Sequence, residues 1–173
     1  MIRDATESDL PAILAIYNDV LAGSTAIFSE RPATLEDRAQ WFRARRELGY
    51  PVLVATDGSG VLGFATFGDF RTWPGYRHTV EHTVHVRADA RGRGVGSELV
   101  RVLLARAVSL GKHVMVAGVD ADNAGSIRMH ERLGFQRAGT LHHVGCKFGR
   151  WLDLAFLERR LDDRLAPPAS PGH

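Results

Sequence analysis

The segment Thr79 to Ser109 constrains the fold more than any other part of the chain. It opens with an alternating stretch, TVEHTVHV, and passes through RGRGVG into a run of helix formers, GSELVRVLLARAVSL. Period-2 alternation predicts a strand, with Val80, His82, Val84 and Val86 on one face and Glu81, Thr83 and His85 on the other. Glycines 92, 94 and 96 then predict a tight loop, and a helix is expected to start near Ser97. A helix N-terminus offers free amide donors and the positive end of a dipole. Glycines let the backbone wrap a phosphate group closely. Read alone, the loop is either an anion-binding loop of pyrophosphate size or a flexible turn before a helix. It lacks the G-x-x-x-x-G-K-[ST] pattern of a P-loop, and it is G-x-G-x-G rather than the dinucleotide-binding G-x-G-x-x-G.

The rest of the chain reads as elements around this unit. IRDAT predicts a short strand. Glu7 to Ala22 has apolar residues at 10, 13, 14, 16, 17, 20 and 21, the spacing of a helix, with Thr6 and Asp9 resembling a capping box. Thr34 to Leu48 is a second helix, with Leu35, Trp41, Phe42 and Leu48 on its apolar side. VLVAT, DGSG and VLGFATFG form a β-hairpin. VMVAGV is a short strand, and AGSIRMHERLGF a helix closed by Gly134. RAGTLHHVGCKFGRWLDLAFLERRL reads as strands joined by glycine turns. The expected fold is mixed α/β, with early helices on a mainly antiparallel sheet and a β-α-β-α half. Residues 1–162 are read as one domain, and 163–173, ending APPASPGH, as a disordered tail.

Composition narrows the function. The net charge is +2, from 22 basic and 20 acidic residues, too balanced for a nucleic-acid footprint. All the basic residues except Lys112 and Lys147 are arginine. That excess suits forked contacts to carboxylates and phosphates, and also follows from biased genomic composition. No apolar run approaches the ~18–20 residues that span a bilayer. The first residues, MIRDATESDL, are acidic where a signal peptide has an apolar core. The lone cysteine, Cys146, has no internal disulfide partner and reads as a buried apolar filler. A cytoplasmic location is expected. His78, His82 and His85 are close in sequence, but His85 points away from His82 on a strand. With no H-E-x-x-H pattern and no cysteine partner, no metal site is expected.

Two blocks in order carry a family resemblance. Arg91-x-x-Gly94-x-Gly96 after a strand, followed by a long amphipathic helix, resembles the acyl-CoA loop of the GNAT acetyltransferase superfamily. VMVAGVDADNAGSIRMHERLGF resembles the superfamily's next strand and helix, with Leu133-Gly134-Phe135 as its closing signature. The resemblance runs from IRDAT to WLDL. IYNDVLAGSTAIFSERP, FGDFRTWPGYRHTVEHTVHV and VGCKFGRWLDL are similar to the phosphinothricin and methionine sulfoximine (methionine sulfone) acetyltransferase branch. The resemblance implies a cytoplasmic homodimer that acetylates the α-amino group of small amino-acid analogues.

It also implies acetyl-CoA as co-substrate, a GNAT-like twisted sheet flanked by helices, and Glu81 as general base. A partly buried carboxylate there would have a raised pKa and so be a better base. The backbone of Val84, His85 and Val86 would bind the pantetheine arm and the thioester carbonyl. Arg91, Gly92, Arg93, Gly94, Val95 and Gly96 would hold the pyrophosphate, with Asn123 and Ser126 along the pantetheine. Acceptor recognition is expected from FRTWPGYRH, through Arg71, Gly75, Tyr76 and Arg77, with Trp73 as a further aromatic wall. Ile27, Phe28 and Ser29 close the other side. Arg71 and Arg77 are each able to fork onto a carboxylate or a sulfoximine or phosphinyl oxygen. His130 stands where many members carry a tyrosine that protonates the leaving thiolate. Either His130 takes that role or the thiolate leaves unassisted. Two other acceptors fit the same fold, a protein N-terminus or a polyamine. The basic loop FRTWPGYRH favours a carboxylate-bearing acceptor over a polyamine. A non-catalytic acyl-CoA-binding module is the reading from another class.

Overall fold

The computed structural model describes residues 1–169. Of the expected tail, residues 163–169 are in no helix or strand, and residues 170–173 lie outside the described residues. One seven-stranded sheet organises the chain, in the order β1-β2-β3-β4-β5-β7-β6. Its strands are β1 (Ile2–Asp4), β2 (Val52–Asp57), β3 (Gly60–Asp69), β4 (Thr79–Val86), β5 (Val114–Asp120), β6 (Gln136–Lys147) and β7 (Arg150–Arg160). Only β4 and β5 pair in parallel; every other neighbour pair is antiparallel. The connection from β4 to β5 therefore has to cross over, and it carries the glycine loop and a helix.

Alternation along β2 and β3 gives the sheet two cores. Val52, Val54 and Phe64 pack with Ile13, Ile16 and Val20 of α1 (Leu10–Gly23) and Phe42 of α2 (Leu35–Glu47). Leu53, Ala65 and Phe67 face the other way. They join Leu99, Leu103 and Ala107 of α3 (Val95–Ser109) and Ile127 of α4 (Ala124–Arg132). Each layer removes one apolar face from water, the main favourable term in folding.

Several local expectations shift. The first helix opens as a 3-10 turn at Glu7–Asp9, because Pro11 has no N–H for an α bond back to Glu7 and so sits in the first α turn. Thr6 N donates to Asp9 Oδ2 at 2.8 Å, as the capping pattern predicts. Helix α3 begins at Val95 rather than near Ser97, since left-handed Gly94 (φ +83) turns the chain directly into it. On α2 only Phe42 is buried. Leu35 and Leu48, at its two ends, are about half exposed. Cys146 is exposed, not buried: on β6, at the edge of the sheet, Lys147 takes the inward position and Cys146, one residue earlier, points the other way.

Candidate active site

The parallel ladder between β4 and β5 is short. It joins Thr79, Val80 and Glu81 to Val114, Met115 and Val116 and then ends. Beyond Glu81, β4 stays paired with β3, and β5 stays paired with β7. The two strands therefore part, and each presents an unpaired backbone edge to the gap. A cleft of about 360 Å³ fills it, lined by Glu81 to His85, by Ala117 to Asp120, and by Asn123, Ser126 and His130. Tyr17 and Ile27 close it from the α1 side.

Glu81 stands at the point of divergence and is half-buried. Burial pushes its carboxyl above the usual range, and the nearby Arg71 charge pulls part of the way back. The room beside it depends on Gly118: a Cβ there would lie 2.8 Å from Glu81 Oε1. The faces of β4 divide as the alternation predicts. His85 meets Tyr17 of α1 and Phe64 of β3, whereas His82 meets His130 of α4 and Phe135.

His82 and His130 are both buried, with Nε2 atoms 3.0 Å apart. His130 Nδ1 lies 2.7 Å from Ser126 O, so it carries the proton and donates. Its Nε2 then accepts from His82 Nε2–H. Burial lowers the pKa of both rings, that of His82 to about 3. His130 is thus a neutral ring with both nitrogens committed. Asn123 Oδ1 caps α4 by accepting from Ser126 N at 3.0 Å, which fixes the end of the cleft.

The glycine loop lies at the far end of β4. A Cβ on Gly96 would be 3.5 Å from Val86 Cγ2 and 3.4 Å from Met129 Sδ, ordinary contact distances, so the start of the helix packs against β4 and α4. Gly92 and Gly94 are left-handed, at φ +72 and +83, with open space where side chains would be. Val95, Gly96 and Ser97 begin a 15-residue helix, and the first amides of a helix lack intrahelical acceptors. Arg91 Nε donates to Val86 O at 3.2 Å, tying the loop to the strand, while Arg93 is 3.7 Å from Asp57. Free donors, a positive dipole end and no side-chain obstruction fit a pyrophosphate.

The acceptor residues named from the sequence are less closely gathered. Arg71 Nη1 donates to Phe70 O at 2.7 Å, and its guanidinium covers the Phe70 ring. Tyr76 meets the same ring and is partly exposed. Arg77 Nη1 donates to Pro74 O, and the Cβ side of Gly75 is open. Arg71, Gly75, Tyr76, Arg77 and Phe28 all lie outside the lining of the cleft. The Phe28 ring lies over Gly145 of β6, next to cleft-lining Ile27.

Sequence reasoning missed the clamp beneath the segment that follows α1. Lys147, 1% exposed, donates to Ser24 O at 2.6 Å, Ile27 O at 2.9 Å and Leu21 O. Thr25 Oγ1 donates to Asp120 Oδ2, joining this segment to the end of β5. The one available signal was compositional: a lysine kept in a chain whose cations are almost all arginine. Among the described residues, no group of three His, Cys, Asp or Glu side chains could hold a metal ion, and no helix is long and apolar enough to cross a membrane.

The L-methionine sulfoximine/L-methionine sulfone acetyltransferase of Pseudomonas paraeruginosa is 52% identical to this chain over 168 residues, 96% of this chain and 98% of that protein. A phosphinothricin N-acetyltransferase of Streptomyces coelicolor is 38% identical over 92% of this chain and 95% of its own length. The structure of yncA from Salmonella typhimurium with its cofactor acetyl-CoA superposes with a TM-score of 0.95 at 45% identity, covering 98% of both chains. The model of the acetyltransferase (GNAT) family matches residues 10–135. The splayed β4–β5 pair, the glycine loop opening α3 and the match across most of the chain lead to one assignment: this protein belongs to the GNAT acetyltransferase family.

Proposed function

We propose that this protein is an N-acetyltransferase that moves the acetyl group of acetyl-CoA directly to the α-amino group of a small amino-acid analogue. L-methionine sulfoximine, L-methionine sulfone and phosphinothricin are the acceptors suggested by its relatives. The observation that carries this reading is the position of Glu81, a carboxylate of raised pKa at the point where β4 leaves β5. Residues 1–162 act as a single acetyltransferase domain.

An ammonium has no lone pair, so the acceptor must lose a proton before it reacts. Glu81 takes that proton, directly or through a water, and its raised pKa makes it the better base. Acetyl-CoA, when bound, supplies the acetyl group as an activated thioester. The free edge of Val84, His85 and Val86 offers backbone amides to the pantetheine arm and to the carbonyl oxygen that gains charge. Asn123 and Ser126 flank the arm. The loop from Arg91 to Gly96 holds the pyrophosphate. The Nδ1 proton of His130 is given to Ser126 O, which favours departure of the thiolate without an acid from this ring. A thiol pKa of ~8.5 lets the thiolate leave unassisted near neutrality.

On the acceptor side, the charge of Arg71 reaches Glu81, which supports its pairing with an acceptor oxygen beside the base. Gly75, Tyr76 and Arg77 of the same loop, and Phe28 on the opposite side, are assigned to the acceptor by the family resemblance, though none of them lines the cleft. The active form is a cytoplasmic homodimer. Leu141, Val144, Phe148 and Trp151 are each about half exposed or more at one end of the β6–β7 hairpin, which supports a partner there.

The test is free-thiol release from acetyl-CoA with methionine sulfoximine, methionine sulfone, phosphinothricin, ordinary amino acids, spermidine and a short peptide. Selective turnover of the first three is expected, abolished in Glu81→Gln while acetyl-CoA still binds. Turnover of the peptide or spermidine alone would reject the acceptor class.

A further inference from the structure

We infer, on the acceptor class proposed above, that Arg38 and Arg45 of α2 form the anion-binding wall of the acceptor subsite and receive the α-carboxylate of the amino acid. The two residues are seven apart, so they share one face of the helix. Both are half-buried, and the Nε of each is shielded from solvent without a hydrogen-bond partner. Among the described residues, neither side chain makes a hydrogen bond or an ion pair.

Neither side chain lines the cleft itself, but Arg38 borders residues that do and Arg45 borders the register partner of one. The Arg38 guanidinium lies 4.3 Å from the centroid of Tyr17, which lines the cleft, and 5.0 Å from that of Trp41. Its charge also reaches His85, another lining residue. The Arg45 guanidinium rests on Gly68, where the absence of a side chain makes room: a Cβ there would collide with Arg45 Nη1. Gly68 is the register partner of Glu81. Paired residues point to the same face and have Cβ positions about 5 Å apart. Arg45 therefore covers the sheet beside the base.

The charge here is incompletely balanced. Burial disfavours both cations, and Arg38 disfavours Arg45 further. Asp69 offsets Arg45 from beyond ion-pair distance. Asp37, the acid that acts on Arg38, is engaged through Oδ2 with the Thr34 amide. A partly buried cation without a partner is costly, and a ligand anion removes that cost. Two forked guanidinium groups match a carboxylate. In an α-amino acid, the carboxylate and the amine are on one carbon. An anion held beside Glu81 therefore brings the amine to the base.

The experiment compares two acceptors, L-methionine sulfone and the same molecule lacking its carboxylate, 3-(methylsulfonyl)propan-1-amine. Wild-type enzyme is expected to prefer the sulfone strongly in kcat/KM. Arg38→Gln and Arg45→Gln are each expected to shrink that preference by about tenfold or more, mainly through KM for the sulfone. Acetyl-CoA Kd and thermal unfolding, measured on both variants, report the fold; either variant that retains both suffices. An unchanged preference in a folded variant overturns the inference while leaving the acceptor class standing. Equal use of the two acceptors by wild-type enzyme overturns it without any variant. Wild-type silence toward the sulfone, with turnover of a peptide, overturns the acceptor class and this inference together.

Discussion

The Nε2 atoms of His82 and His130 lie 3.0 Å apart, and this contact together with the bond from His130 Nδ1 to Ser126 O fixes the tautomer of both rings. One ring belongs to β4 and the other to α4, on opposite walls of the cleft. Because His130 gives its Nδ1 proton to Ser126 O, His82 must donate through Nε2, and its buried Nδ1 is left without a partner. Both rings are held neutral by burial.

This arrangement makes the fold acid-sensitive. The pKa of His82 is about 3 and that of His85 about 4 in the folded chain, both depressed first by burial, against 6.5 when exposed. A depressed pKa means that the unfolded chain takes up protons which the fold refuses. Stability is therefore whole above about pH 6.5 and falls as the pH drops toward 4. Each such histidine contributes up to about 1.4 kcal/mol per pH unit in that window. Urea unfolding between about pH 5 and 8 should show this slope, and His82→Phe should make it shallower. An identical slope in the variant would assign the acid sensitivity to other groups.

Glu81 must be ionised to act as a base, so turnover should fall as the pH drops through its raised pKa. Arg71 pulls that pKa down. Replacing it in Arg71→Gln should move the acid limb of kcat/KM to higher pH, separately from any loss of acceptor affinity. A pH–rate profile in which KM rises but the limb stays in place would show that Arg71 does not act on the base.

Gly118 keeps the space that Glu81 occupies. In Gly118→Ala the new methyl would meet Glu81 Oε1 at 2.8 Å, and the carboxylate would swing away rather than the backbone. The expected result is a small change in thermal stability with a loss of kcat of up to about a hundredfold, the effect of displacing a reacting group by about 1 Å. Steady-state kinetics beside a melting curve distinguishes this from general damage.

Lys147 gathers three carbonyls at and beyond the end of α1 with one ammonium. Lys147→Met should cost about 3 kcal/mol or more, because buried acceptors lose a charged donor. Lys147→Arg should not restore it, since a flat guanidinium does not converge on three oxygens from one point. Urea denaturation of the two variants measures both effects. Full recovery in the arginine variant would show that charge alone is needed.

Local information was enough for much of this protein. The alternation of TVEHTVHV assigned Glu81 and His82 to opposite faces, because successive side chains on a strand must alternate. The glycines of RGRGVG marked the turn into α3, because only a residue without a Cβ adopts the left-handed conformation of Gly92 and Gly94 at little cost. The helical spacing of α1 was legible for the same reason: its period is a property of the backbone.

What depends on contacts distant along the chain was not legible. The sequence does not show where β4 leaves β5, since that is decided by β5 continuing along β7. Leu35 and Leu48 have the pattern of a buried face, yet the middle turns of α2 alone reach the core. Cys146 is exposed because Lys147 beside it takes the inward position on β6. The His82–His130 contact spans 48 residues, and the bond from Lys147 to Leu21 spans 126. Such contacts exist only once packed layers bring their elements together. The sequence by itself determined the elements, their faces and the glycine loop; the tertiary structure alone decided which buried groups met and which backbone edges were left free.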